Sequence, residues 1–166
     1  MNLVRRTPQI LHEDHQRTIE VIEALDRLLA QAKRKPADTS DAQTSKTLSL
    51  AASAISQEVS AHFTFEETEL FPRLEEAGDQ AIGAHLRAEH AAILPLGQQV
   101  ADLSKQALET GFTASSWQSY RNAAAELVER MFAHIQKEEM ALLPMLDDLL
   151  DAETDMALAE RYAGTV

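Results

Sequence analysis

Apolar residues recur along this chain every three or four positions, the spacing that puts them on one face of a helix. The first such stripe runs through Leu11, His15, Ile19, Ile22, Leu25 and Leu29. Thr7 as N-cap and Pro8 at the first helical position, where a missing N–H costs nothing, predict a helix over 7–33. The polar run 35–43, with a proline and several turn formers, predicts a loop. A second helix from about Thr44 aligns Leu48, Ala51, Ile55, Val59, His62, Glu66 and Leu70, and Pro72 is expected to kink or end it. Residues 75–80, EEAGDQ, make the next turn. The third helix spans 81–109, with a bend or irregular turn expected at Pro95 and an exit at Gly111. The fourth, over 113–150, aligns Trp117, Tyr120, Leu127, Met131, His134, Glu138 and Leu142, and Pro144 falls near its end. A short helical tail follows over 153–162. Four long helices, each with one apolar face and joined by short polar connections, predict an all-α, up-down-up-down four-helix bundle with that tail appended.

Composition narrows the chemistry. At 166 residues and 45% apolar, the chain has the size and core of a single domain, 1–166. Fifteen Lys and Arg against 27 Asp and Glu give a net charge of −12, which repels phosphate backbones and anionic lipid heads and argues against nucleic-acid or membrane-surface partners. There is no cysteine, so disulfides, thiolate metal sites and cysteine nucleophiles are excluded, and any metal must be held by nitrogen and oxygen. The arginines near the start lead into a polar stretch and complete no export signal, and no long apolar run could span a bilayer, so a cytoplasmic setting is expected. Glycine-rich phosphate loops are absent, so any reductant would be external.

The chain contains an internal repeat. HFTFEETELFPRL, from His62 to Leu74, matches HIQKEEMALLPML, from His134 to Leu146, in its His, Glu, Glu, Leu, apolar, Pro and Leu positions. Upstream of each stands a second matching piece, LHEDH ending at His15 and LRAEH ending at His90. Residues four apart stand about 6 Å apart on one helical face, so His62 with Glu66 and His134 with Glu138 each present an imidazole beside a carboxylate on the core side. In a bundle the second and fourth helices lie diagonally opposite, and His15 and His90 come from the remaining corners. Six metal-ligand candidates therefore converge: His15, His62, Glu66, His90, His134 and Glu138. Two unpaired carboxylates in a dry core cost several kcal/mol each, a conflict that a pair of cations removes. If Glu66 and Glu138 bridge two metals with an oxo or hydroxo bridge, each metal takes two imidazoles and keeps an open position. The set suits two Fe ions, with Mn or Zn as possible substitutes.

These residues, with LFP or LLP after each pair, resemble the hemerythrin-like HHE cation-binding domains over about residues 8–148. The resemblance implies a non-haem di-iron centre on the six named ligands. It also implies binding of a small diatomic or peroxide ligand (O₂, NO, H₂O₂) for sensing or for protection against oxidative and nitrosative stress. The oxygen carriers of that family have a further histidine where this chain has Leu86 and use HxxxxD on the last helix. With His134-xxx-Glu138 instead, this sequence resembles the four-His, two-Glu branch associated with iron-centre repair and NO handling. Three alternatives stand beside this reading. One is an oxidoreductase or repair protein that turns over peroxide or delivers iron. Another is a ferritin-like oxidase, whose Glu-x-x-His order differs from the His-x-x-x-Glu found here. The last is a metal-free helical interaction scaffold.

Other positions carry weaker expectations. His12 and His85 have no repeat partner and are read as surface histidines. Asp14, Glu67, Glu89 and Glu139 recur in the repeat and could accept the outer N–H of a ligand imidazole, although a solvated helix face is the preferred reading. Met131, Met140 and Met145 are expected to fill the core. Phe63, Phe65, Phe71, Phe132, Trp117 and Tyr120 are expected to pack, with Phe65 a possible wall of a cavity and Tyr120 too far from His134 for direct redox participation.

Overall fold

The computed structural model describes residues 3–32 and 35–164, with backbone alone at 54–58. Helices α1 (Arg6–Gln31), α2 (Ala42–Phe65), α3 (Phe71–Glu76), α4 (Ala81–Thr110), α5 (Ala114–Lys137), α6 (Leu143–Leu149) and α7 (Ala152–Ala163) follow one another. Among the described residues there is no strand, and no helix is long and apolar enough to cross a membrane. The expected end of the first helix at Lys33 and the side chain of Ile55 lie outside the described residues. Helix α1 packs against α2 and α5, and α4 packs against the same two, so α1 and α4 stand opposite each other, as do α2 and α5.

The start of α1 departs from expectation. Thr7 is not its cap: the helix begins at Arg6, and the N-cap position, Arg5, makes no side-chain cap bond. The first helical amides turn instead to the far end of the chain. The Arg6 and Thr7 amides donate to the two carboxylate oxygens of Asp155 on α7, each at 2.8 Å. The Thr7 hydroxyl donates to the Asp155 carbonyl at 3.0 Å, and the Val4 and Arg5 amides donate to Asp147 Oδ1 at 2.9 and 2.7 Å. These carboxylates satisfy donors that a helix start leaves unpaired and place negative charge at the positive end of its dipole. Helices α2 and α5 cap locally. Asp41 accepts from the Thr44 amide, and Thr113 and Ser116 form a capping box. Gly111 closes α4 in the left-handed region at φ 74°, which glycine adopts without steric cost.

Proline acts differently at its three interior positions. Helix α4 continues through Pro95 without an irregular turn. Pro95 and Ala91, one turn earlier, are both exposed, so the Ala91 carbonyl that loses its partner faces water. Before Pro72 and before Pro144, in contrast, the chain widens into a π turn, Glu66–Leu70 and Glu138–Leu142. In each the closing amide reaches back five residues, Phe71 to the Glu66 carbonyl and Leu143 to the Glu138 carbonyl. A widened turn relieves the clash between a proline ring and the carbonyl four residues back, and the helix then resumes. Both π turns begin at the repeat's glutamates.

The core has two apolar clusters. One, around Ile22, Leu25, Val59, Phe63, Ile93, Leu127 and Met131, fills one end; the other, around Leu11, Leu70, Phe71, Leu86, Leu142, Leu158 and Tyr162, fills the other. Along every long helix the repeat's histidine sits between a residue of one cluster and a residue of the other. Two expected core residues lie outside it: Met140 is 73% exposed and Phe132 is 37% exposed. Met140 is two residues from both Glu138 and Leu142 and so faces away from their side, while Phe132 is turned off the face that carries Met131 and Ile135.

Asp155→Ala removes a buried carboxylate that caps two α1 amides. It is expected to lower unfolding stability by about 1–2 kcal/mol with helical circular dichroism retained, which urea denaturation of the two proteins measures directly.

Candidate metal centre

Between the two apolar clusters lies a polar layer. His15, His62, Glu66, His90, His134 and Glu138 are all buried, and Glu66 and Glu138 are wholly so. The structure brings all six sequence candidates together in two groups, His15, His62, Glu66 and Glu138 on one side and Glu66, His90, His134 and Glu138 on the other. Within each group the nearest nitrogen and oxygen atoms lie within 4.8 Å of one another, and both carboxylates belong to both groups.

The imidazoles are oriented from behind. Nδ1 of His15 donates to Glu139 at 2.6 Å, that of His90 to Glu67 at 2.8 Å, and that of His134 to Glu89 at 3.0 Å. Nδ1 of His62 lies 3.4 Å from Asp14 Oδ2 and 3.3 Å from the Tyr162 hydroxyl. An ionised carboxylate can only accept, so in each neutral ring Nδ1 carries the proton and the Nε2 lone pair points inward. The four outer carboxylates, expected to be solvated, are thus engaged with the rings. Each sits next to a repeat ligand candidate in sequence and reaches a ring on a neighbouring helix, a pairing that sequence spacing within one helix does not reveal. His12 and His85 stay outside the centre, His12 against Glu139 at 2.9 Å and His85, 59% exposed, against Glu89 at 3.3 Å.

On the inner side the usual partners are missing. His15 Nε2 lies 3.0 Å from Glu138, His62 Nε2 3.2 Å from Glu66 and His134 Nε2 3.0 Å from Glu138. Yet His15 Nε2, His62 Nε2 and all four oxygens of Glu66 and Glu138 are buried without a hydrogen bond. The Nε2 atoms of His90 and His134 face each other at 3.2 Å. With both rings neutral and both Nδ1 protons committed outward, that approach sets two lone pairs against each other, a conflict that a proton or a cation between them removes. Two nitrogens bound at right angles to one cation at about 2.1 Å each would stand about 3 Å apart, so the spacing fits shared coordination. The donor set of four imidazoles and two carboxylates fits a pair of first-row transition-metal ions.

With no metal bound, protons take the cation's part. Burial by itself lowers the basicity of His62, but the Glu66 charge, the contacts with Asp14 and Glu66 and the Glu138 charge outweigh it and carry the ring up to about 10. His15 and His134 are raised in the same way, against burial, by Glu138 with Glu139 and with Glu89 respectively. Burial pushes Glu138 up, yet contacts with His134, His15 and His90 hold it well below the usual carboxylate range. The buried Glu138 is therefore held ionised without metal, because the imidazoles around it take up protons first.

The ring walls differ between the halves. Phe63 stacks on His90 with centroids 3.7 Å apart and planes 5° apart, and Phe71 closes the same ring at 5.6 Å. Away from His90 the centre opens into a cavity of about 250 Å³ lined by His15, His62, His134, Glu138, Phe63, Met131, Ile135 and Tyr162, among others. Phe65, a candidate cavity wall, packs instead against the Tyr162 ring at 4.6 Å. Tyr162 itself was not expected at the site: it lies on α7, and only chain folding brings it to Asp14, to which its hydroxyl donates.

The model of the hemerythrin HHE cation binding domain family matches residues 7–146. No curated protein matches the sequence.

The pKa directions fix the stability of the metal-free protein. A histidine raised in the folded state contributes fully below its unfolded value of 6.5, and for His62 that contribution is lost as pH climbs towards about 10. A depressed Glu138 contributes above 4.5 and its contribution is lost as pH falls below that value. Metal-free protein is therefore expected to melt highest at about pH 4.5–6.5. Metal-loaded protein is expected to lack the alkaline decline, and melting curves of both forms across pH 4–10 would show it.

Proposed function

We propose, from the premise that this chain belongs to the hemerythrin HHE cation binding domain family, that it is a non-haem di-iron protein. In this reading His15 and His62 would hold one iron, His90 and His134 the other, and Glu66 and Glu138, which belong to both groups, would serve the two. The observation that carries it is the convergence of four imidazoles and two carboxylates in two groups that share both carboxylates, with His15 Nε2, His62 Nε2 and all four carboxylate oxygens buried and unbonded. A structural core would leave such atoms paired, since each unsatisfied buried polar group costs about 1–3 kcal/mol. A metal-free scaffold offers no reason to bury them. The ring of contacts among α1, α2, α4 and α5 supports an up-down-up-down four-helix bundle forming one domain.

A pair of irons supplies redox equivalents and a coordination position for a small ligand. The chain's own residues supply the rest. Phe63 and Phe71 cover His90, whereas the cavity beside His15 and His62 gives room for O₂, NO or peroxide. Its apolar walls, Met131, Ile135 and Phe63, limit the water that reaches the centre. Binding of such a ligand, for sensing or for protection against oxidative or nitrosative stress, is the function this arrangement supports best.

Purified protein loaded anaerobically with Fe(II) is expected to hold two irons per chain. His62→Ala and Glu138→Ala are each expected to fall well below two while keeping helical circular dichroism; unchanged iron in both variants would refute the ligand assignment. Spectra of the reduced protein before and after O₂, NO and peroxide separate the roles. A persistent adduct supports binding and sensing, whereas repeated consumption of peroxide with an external reductant supports an oxidoreductase.

A further inference from the structure

The two halves of the metal centre derive from one duplicated pattern, and six of their elements are equivalent in pairs. Asp14 on His62 corresponds to Glu89 on His134, Glu139 on His15 corresponds to Glu67 on His90, and Glu66 corresponds to Glu138. The equivalence fails at the groups that hold Asp14 and Glu89. Glu89 is held by the exposed Lys137 and His85. Asp14 pairs with the exposed Arg17 in a similar way, but it is also held by Tyr162, which is 3% exposed and comes from a helix with no counterpart in the repeat. The Tyr162 oxygen also lies 3.3 Å from His62 Nδ1, so the ring N–H, the phenol and the carboxylate form a short chain, with the phenol accepting from His62 and donating to Asp14.

Helix α7 is held in place at several independent points. Asp155 caps α1, the helix that carries Asp14 and His15. Arg161 pairs with Glu69 in the first π turn at 2.7 Å, and Leu158 and Tyr162 belong to the apolar cluster below the centre. A residue so fixed holds its hydroxyl at one place against His62, and an outer partner of this kind sets both the tautomer and the basicity of a ligand ring.

We propose that Tyr162 is a positioning residue of the metal centre, acting through Asp14 on His62, and that it makes the two metal positions inequivalent. The proposal rests on the di-metal reading above. Helix α7 is thereby part of the site, and both rings of the half it governs line the cavity, together with Tyr162 itself and one ring, His134, of the other half.

The test uses Tyr162→Phe, which keeps the ring and its packing on Phe65 and removes only the hydroxyl. Co(II) is titrated into the full chain and followed by its visible absorption, with Asp14→Asn and the double variant alongside. In Tyr162→Phe one of the two bound equivalents is expected to weaken by about ten- to a hundred-fold, with an altered Co(II) spectrum, while the other keeps its affinity. Asp14→Asn is expected to do the same, and the double variant to be no weaker than Asp14→Asn alone, because the hydroxyl acts through that carboxylate. Long-range ¹⁵N spectra of Zn(II)-loaded protein, in which Nε2 is held by the metal, give a second readout: the His62 Nδ1–H is expected to shift and to exchange faster with solvent in Tyr162→Phe, while that of His134 is unchanged. Two equivalents of unchanged or equally weakened affinity in Tyr162→Phe, or additive losses in the double variant, would overturn the inference and leave the di-metal reading standing. A wild-type protein that binds fewer than two equivalents would overturn both.

Discussion

Two carboxylates with no solvent exposure and no hydrogen bond stand in the middle of this protein, and four imidazole nitrogens are aimed at them. Removing such charges from water costs several kcal/mol apiece, and only positive charge at the same place offsets it. The rest of the architecture follows from that requirement. The interior divides into two apolar clusters because a polar layer must lie between them. The repeat is preserved because each half contributes two imidazoles and one of the two shared carboxylates. Protons or metal ions can meet the demand, so occupancy and pH are linked through the same atoms.

The outer carboxylates convert that local demand into a bundle-wide one. Asp14 ties α1 to α2, Glu89 ties α4 to α5, Glu67 ties the first π turn to α4, and Glu139 ties the second π turn to α1. Each link orients a ring and joins two helices at once. The π turns serve the same layer: each begins at a central glutamate, opens the turn ahead of a proline, and lets the helix resume into the second apolar cluster. The centre and the helix packing therefore stabilise one another.

The twofold pattern is broken where the environment differs between the halves. Phe63 lies flat on His90, whereas His15, His62 and His134 line a cavity. The C-terminal helix adds to this difference, since it docks against α1 and has no partner on the other side.

The helices, the repeat and the six candidates were legible because their signals are periodic and local. Apolar spacing marks a buried face, and a histidine four residues before a glutamate lies beside it on any helix. The caps of α1, the engagement of Asp14, Glu67, Glu89 and Glu139, and the place of Tyr162 were not legible. Each depends on residues distant in the chain, Asp155 from Thr7 by 148 positions and Tyr162 from His62 by 100. Met140 and Phe132 carry apolar side chains off the buried face, so residue type misled where helical phase decided. What the sequence alone determined is which groups share a helical face, because that depends only on backbone geometry and spacing. Which carboxylate meets which imidazole, and which rings line the cavity, was decided by tertiary packing, because contacts between helices depend on how the whole chain excludes water.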